Sequence, residues 1–278
     1  MIGPSTAARL RRPFEERVAQ ITLSLERWRW LPHQFEQPPI IVNVPAFQLH
    51  AFKSSSDREA DLLSMDVVVG DSFDNKTPVF SGSMKYLVFS PYWDVTPNIT
   101  RTEVLPKARR DAGYLARNNY EIVSNRGSVL GTSSSAVSAV AAGNARIRQK
   151  PGPTNSLGRV KFIFPNEFNV YLHDTPSQSA FDRARRDLSH GCIRLAEPAR
   201  LAEFLLSDKA GWDAARVTEA MAKTKPEQVN LTRSVPVYIV YATAAAREDG
   251  TTRFFDDIYK HDRSLTQLLA LGYPYPSK

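Results

Sequence analysis

Between residues 14 and 31 the hydrophobic positions recur at helical spacing. Val18, Ile21, Leu25 and Trp28 fall on one stripe, and Pro32 ends the run. The pattern predicts a helix, preceded by an entry loop. From Pro39 the period changes. Residues 40–44, 47–52, 66–69 and 85–89 are short runs rich in β-branched and aromatic side chains, separated by Pro, Gly, Ser and Asp, and read as strands. Residues 160–164 and 169–173 continue the series across Pro165 and Asn166, and the apolar run 235–241 adds a further strand. Two helices are predicted near 198–206 and 212–223. A long connection, roughly 90–157, interrupts the strands, and its middle (128–148, SVLGTSSSAVSAVAAGNARIR) is rich in Ser, Ala and Gly. Connections longer than about 15 residues are usually functional lids or disordered. With little apolar area to offset the entropy of ordering, 128–148 is predicted to be a mobile lid over or beside the site. No internal repeat is visible. The class that emerges is α+β, predominantly β, with mostly antiparallel strands and an inserted segment.

Composition narrows the classes. Of 278 residues, 42% are hydrophobic and 23% charged, so the chain can bury an ordinary globular core. No apolar run approaches the roughly 18–20 residues of a membrane span, and the N-terminus MIGPSTAARLRRPFEERV has no secretory hydrophobic stretch. The net charge is +7, and most of it is local: residues 101–150 hold nine Lys/Arg against three Asp/Glu. Basic residues are not interleaved with aromatics in a nucleic-acid module. Small anionic groups or an anionic polymer fit better as partners, and no nucleic-acid partner is expected.

Cys192 is the one cysteine. It rules out an internal disulfide and a Cys-rich zinc site, and leaves a buried small hydrophobe or a reactive thiol. Its neighbourhood favours the second. YLHDTP at 171–176 is followed by SHGCIR at 189–194. A nucleophilic thiol needs a base in reach and a group orienting that base, plus backbone N–H donors for the developing oxyanion. His173 ends a predicted strand 19 residues before the cysteine. Gly191 lets the chain turn tightly and a carbonyl approach the N–H groups of Gly191 and Cys192. Arg194 and the imidazoles are expected to favour thiolate.

These motifs resemble the L,D-transpeptidases, the YkuD-type domain, whose signature is a His, a spacer, then Ser/Thr-His-Gly-Cys. ERWRWLP (26–32), TPVFSGSMKYLVFSPYW (77–93), GYLARNNYE (113–121), RQKPGPTNSLGRVKFIFPN (148–166) and PVYIVYATA (236–244) are similar to the YcbB-like Gram-negative subtype. The resemblance covers roughly residues 14–260. It implies a mixed or antiparallel β-sandwich-like catalytic domain (39–92 and 150–260), with a capping subdomain inserted at 93–149 and flanking helices. Residues 14–38 would be an N-terminal helix and linker, and 261–278 a C-terminal helix and tail. Residues 1–13, with IGPSTAARL, look like the tail of a preceding peptidoglycan-binding module, so Met1 is expected to begin a fragment of a longer protein.

The resemblance assigns Cys192 as nucleophile, His173 as base, and Gly191 and Cys192 as the backbone oxyanion hole. Arg194 stands where many members have Asn, which suggests contact with a carboxylate. Tyr171 and Trp93 look like substrate-pocket residues, with His190 and Ser189 beside them. Each has a structural alternative: His173, Tyr171 and Trp93 as core side chains, His190 and Ser189 as supports of the turn, and Arg194 paired with Asp187. The implied reaction is acyl transfer between peptidoglycan tetrapeptide stems, donor and acceptor, in the periplasm or cell envelope. It releases D-alanine and forms a cross-link between third residues, with no metal and no organic cofactor. Carbapenems are expected to acylate Cys192. Three other readings stand beside it: a hydrolase of the same fold (carboxypeptidase or amidase), a zinc enzyme using His173, Asp174, His190 and Cys192, and a non-catalytic wall-binding protein.

Overall fold

The computed structural model describes residues 3, 7, 11–54 and 56–272. Most of the assigned tail 1–13, and residues 273–278 of the C-terminal tail, lie outside the described residues.

Helix α1 (Phe14–Trp28) follows Pro13, with Glu15 and Glu16 in its first turn and Arg27 in its last, where the helix dipole favours them. The face it buries is not the apolar stripe. Val18, Ile21, Leu25 and Trp28 are exposed, while Gln20, Leu23, Ser24 and Arg27 face the protein. Specific partners explain the choice of face. The Gln20 amide donates to the carbonyls of Thr243 (3.3 Å) and Phe255 (2.9 Å), Ser24 Oγ accepts the Ala244 N–H (3.0 Å), and Arg27 pairs with Asp262 (2.6 Å). Periodicity identifies a stripe. Which stripe is buried depends on backbone groups elsewhere that need partners.

Four strands follow: β1 (Ile40–Asn43), β2 (Gln48–Ala51), β3 (Leu63–Gly70) and β4 (Phe80–Phe89). The inserted segment then opens with β5 (Trp93–Asp94) and a one-turn helix Pro97–Ile99. A π-helical turn, Thr100–Val104, runs on into α2 (Leu105–Arg110). It continues through α3 (Tyr114–Arg117), β6 (Tyr120–Ser124), β7 (Val129–Gly131), α4 (Ser134–Ala141) and β8 (Ala145–Gln149). The chain returns with β9 (Val160–Ile163), β10 (Leu172–His173), β11 (Asp187–Ser189) and β12 (Ile193–Leu195). Helices α5 (Pro198–Leu206) and α6 (Ala214–Ala222) and the long β13 (Glu227–Val240) come next. The chain then runs through β14 (Ala244–Ala246), β15 (Thr252–Phe254) and α7 (His261–Ala270).

Nine strands form one mixed sheet in the order β11-β3-β12-β10-β9-β4-β13-β1-β2, and β2 also pairs with β3. The sheet therefore closes on itself into a sandwich-like barrel with β11 as an added edge. Three ladders are parallel, β1–β13, β10–β12 and β11–β3, among otherwise antiparallel ones. The interior holds Ile40, Val42, Leu49, Val67, Leu87, Phe89, Phe162, Leu172, Ile193 and Val237, all fully buried. Leu201 and Leu206 of α5 and Val217 of α6 belong to the same cluster.

The insert has its own four-stranded sheet, β5-β8-β6-β7, and its own core around Val95, Ile99, Leu115, Ile122, Val140 and Ile147. This corrects the reading that 128–148 has little to pack. The segment forms β7, α4 and most of β8, and it buries Ala136, Val140, Ala145 and Ile147. Ser133 caps α4 by accepting the Ala136 N–H (3.3 Å). Small side chains are what allow a helix to lie close on a sheet, so Ser/Ala richness was not a lack of packing. The insert joins the barrel through fully buried Asn155, whose amide donates to the carbonyls of Pro91 (3.0 Å) and Lys150 (2.9 Å).

Beyond that joint, Gly158 sits at φ +62°, and a Cβ there would lie 2.3 Å from the Asp174 carboxyl carbon. Asp174 is held by the N–H groups of Arg159 and Thr175, both at 2.7 Å, so it has nowhere to go. Gly158→Ala should destabilise the protein by roughly 3 kcal/mol, the sum of left-handed strain and a displaced, bonded carboxylate. Chemical denaturation measures it, and a change under 1 kcal/mol would show that the loop yields freely.

Candidate active site

The turn that carries Cys192 is built from short-range hydrogen bonds. β11 ends at Ser189, the chain reverses through His190 and Gly191, and Cys192 leads into β12. Gly191 has φ +108°, a conformation open in practice to glycine alone. Ser189 Oγ donates to the Cys192 carbonyl (2.5 Å) and accepts the Gly191 N–H (3.2 Å). Thr77, fully buried, donates its hydroxyl to the Gly191 carbonyl (2.8 Å) and accepts the Gly70 N–H (2.8 Å). The Gly191 N–H is therefore taken by Ser189, not aimed at a substrate oxygen as the sequence reading had it. Among the described residues the Cys192 N–H has no partner, and it is the donor left for an oxyanion.

His173 arrives from β10, which is only two residues long. It pairs antiparallel with β9, placing His173 opposite Lys161, and parallel with β12, placing His173 opposite Arg194. Residues directly opposite share a face of the sheet. Lys161, His173 and Arg194 thus form a row across three strands. The His173 ring is buried, and its Nδ1 lies 2.5 Å from the Asp174 carbonyl oxygen, with the Leu157 carbonyl also bonding the ring. A carbonyl only accepts, so Nδ1 carries the proton and Nε2 keeps its lone pair.

Electrostatics place both groups in their neutral forms. Burial, and then the Arg194 charge, lower the His173 pKa to about 3. Burial also pushes the Cys192 thiol up, against hydrogen bonds from Tyr171 and the charges of Arg194 and Lys161. The expectation that Arg194 and the imidazoles would favour thiolate is thus reversed, because desolvation outweighs both cations. The half-buried Cys192 sulfur donates toward the Asn169 carbonyl at 3.8 Å and is bonded by the Tyr171 hydroxyl. Among the described residues no hydrogen bond links it to His173, a common state of unliganded sites whose bonds tighten on substrate.

Seven of the eight residues singled out from the sequence line one cavity of about 410 Å³: Trp93, Tyr171, His173, Ser189, His190, Cys192 and Arg194. Gly191 stands behind it in the turn. A depression of about 960 Å³ beside α1 is larger, but the chemistry converges in the smaller one. The insert supplies its far wall through Trp93, Glu103, Lys107, Tyr114 and Tyr120. The wall comes from 93–120 and not from 128–148. Trp93 is half-buried, with its ring 6.3 Å from that of Tyr120. Tyr120 is pushed up to about 12 by burial. His190 Nε2 meets Glu103 Oε1 at 2.6 Å, tying the turn that carries Cys192 to the insert. Asp187 is bonded to Arg185 (2.7 Å), so it does not pair with Arg194, whose buried Nε has no partner. Nor do His173, Asp174, His190 and Cys192 make a zinc site, since among the described residues no three such side chains converge on a metal position.

Sequence reasoning missed Lys161, Glu103, Thr77 and the fixing of Asp174. Lys161 lay in a predicted strand, and a register of β9 on β10 would have exposed it. Glu103 is 87 residues from its partner, and no local signal marks it.

The sequence model of the L,D-transpeptidase catalytic domain, YkuD, matches residues 38–239. A Haemophilus influenzae protein named "Putative L,D-transpeptidase" is 31% identical over 255 residues, which cover 90% of this chain and 50% of that protein. The chain thus spans about half the length of this curated relative. A solved structure described as the Ldtfm-avibactam carbamoyl enzyme shares 11% identity at a TM-score of 0.29, over 74% of this chain and 49% of its own.

The depressed imidazole has a thermodynamic signature. Between about pH 6.5, the ordinary His value, and about pH 3, the unfolded chain binds a proton at residue 173 that the folded chain refuses. This contribution to stability is complete above pH 6.5 and is lost as pH falls toward 3. The stability gap between wild type and His173→Gln should therefore move against the wild type by about 1 kcal/mol per pH unit from pH 6 to 4. A gap independent of pH in urea titrations would show that His173 is not held neutral.

Proposed function

The chain belongs to the L,D-transpeptidase catalytic-domain family, and from that premise we propose that it is a peptidoglycan L,D-transpeptidase with Cys192 as nucleophile and His173 as base. The observation that carries the reading is one cavity holding a lone thiol on a glycine turn and an imidazole whose free nitrogen is fixed by the Asp174 carbonyl. The donor is a tetrapeptide stem. As the sulfur attacks the carbonyl carbon of its third residue, the thiol proton passes to His173 Nε2. The carbonyl becomes an oxyanion, to which the Cys192 N–H donates. Collapse breaks the C–N bond, and His173 returns its proton to the departing D-alanine amine, leaving a thioester on Cys192.

In the second half, the side-chain amine of an acceptor stem attacks the thioester. Its proton goes to His173 and then to the departing sulfur, and the new amide joins two third residues. Trp93, Tyr171 and Arg194 serve as substrate contacts, with the aromatic wall of the insert packing against the stem. A separately packed insert forming one wall of the site supports placement in the subtype with a capping subdomain. A periplasmic or cell-envelope setting follows from the substrate.

Cys192→Ala should abolish D-alanine release and cross-link formation, measured by mass spectrometry on a defined disaccharide-tetrapeptide, while leaving thermal unfolding in place. A carbapenem, whose strained ring imitates the scissile amide, should add one drug mass per chain on the peptide containing residues 189–194. An adduct on another residue, or turnover by Cys192→Ala, would sink the cysteine mechanism. Water as the acceptor in every product would convert the reading to a hydrolase of the same fold.

A further inference from the structure

Two cations flank the base. Lys161 stands directly across the β9–β10 ladder from His173, and Arg194 directly across the β10–β12 ladder. Both are half-buried. Both act on the Cys192 sulfur, and the Lys161 Nζ lies 5.8 Å from the centroid of the Tyr171 ring that bonds it. Neither has a carboxylate partner among the described residues. Asp94, whose charge reaches Lys161, is bonded to Arg146 at 3.0 Å. Asp187 is bonded to Arg185, and the buried Arg194 Nε is unsatisfied.

Burying charge without a partner is unfavourable, even where the burial is partial. Two such groups stand on one face, one on either side of His173, and Arg194 lines the cavity, so together they offer a receptor for an anion from outside. The thiol does not fill that role at rest, because burial keeps it protonated. The donor stem does bring an anion to this place. Its terminal residue ends in a carboxylate one residue past the carbonyl under attack, about 3.8 Å away by the Cα–Cα step.

On the transpeptidase reading above, we propose that Lys161 and Arg194 form a two-point receptor for the terminal carboxylate of the donor stem. His173 sits between the two points, so the residue whose carboxylate is held is also the one whose amine receives the His173 proton. The receptor selects stems that end one residue after the scissile bond. A longer stem, or one amidated at its end, offers no charge at this position. A site built for a buried charge discriminates strongly against the analogue lacking it, because its own charged groups are left unpaired.

The test uses a disaccharide-tetrapeptide donor with a free terminal carboxylate and the same donor as its terminal amide. It reads the ratio of the two kcat/KM values for release of the last residue. Wild type should favour the acid by at least roughly 100-fold. Lys161→Met should cut that ratio at least tenfold, and Lys161→Arg should restore most of it. Alkylation of Cys192 by iodoacetamide, which carries no carboxylate, verifies that each variant keeps a folded site, and Lys161→Gln replaces the Met variant if that one does not fold. If Lys161→Met lowers both donors equally, the ratio stands and the receptor is overturned, while the transpeptidase reading survives. If wild type turns over neither donor, the transpeptidase reading falls and the receptor with it.

Discussion

The site depends on the pairing of two residues. Leu172 and His173 form a strand so short that it would not persist alone, yet it lies between β9 and β12 and is bonded on both sides. Its parallel ladder with β12 sets His173 beside the strand that begins one residue after Cys192. Parallel neighbours need a crossover. Here that crossover, residues 174–192, carries Cys192 itself. Separation of imidazole and thiol is therefore a matter of sheet geometry. Because β2 also pairs with β3, the sheet is closed around this region, and β10 has no free edge along which to slip.

A second constraint holds the turn from behind. The Tyr259 hydroxyl donates to the Gly70 carbonyl (2.5 Å) and accepts the Thr77 N–H (3.2 Å), and Thr77 in turn holds Gly191. Tyr259 is itself anchored through its N–H to the Tyr241 hydroxyl (2.8 Å). The chain near its C-terminal helix thus braces a turn more than sixty residues earlier. On the other side the turn is tied to the insert by His190 and Glu103. The turn that carries Cys192 is thus held from both sides by hydrogen bonds, from Tyr259 through Thr77 and from Glu103 through His190.

Much of this was legible in the sequence. Strand runs, the two helices after the cysteine and the α+β class follow from periodicity. The pairing of His173 with SHGC is local enough to be read by spacing. What was not legible shares a physical origin: each feature depended on a contact between segments distant in the chain. The buried face of α1 was decided by the carbonyls of Thr243 and Phe255, and the order of 128–148 by packing of small residues on β8. The neutral state of the thiol was decided by desolvation, which no motif encodes. Lys161 became visible only once the register of β9 on β10 was known.

The raised thiol of Cys192 has a consequence for the life of the protein outside its catalytic cycle. Oxidation to sulfenic acid and beyond begins from the thiolate, and so does capture by adventitious disulfides. A sulfur kept protonated by burial, and bonded by Tyr171, is a poor target for both. With one cysteine in the chain there is no resolving thiol to repair such damage. The desolvation that raises the Cys192 thiol therefore also slows its oxidation.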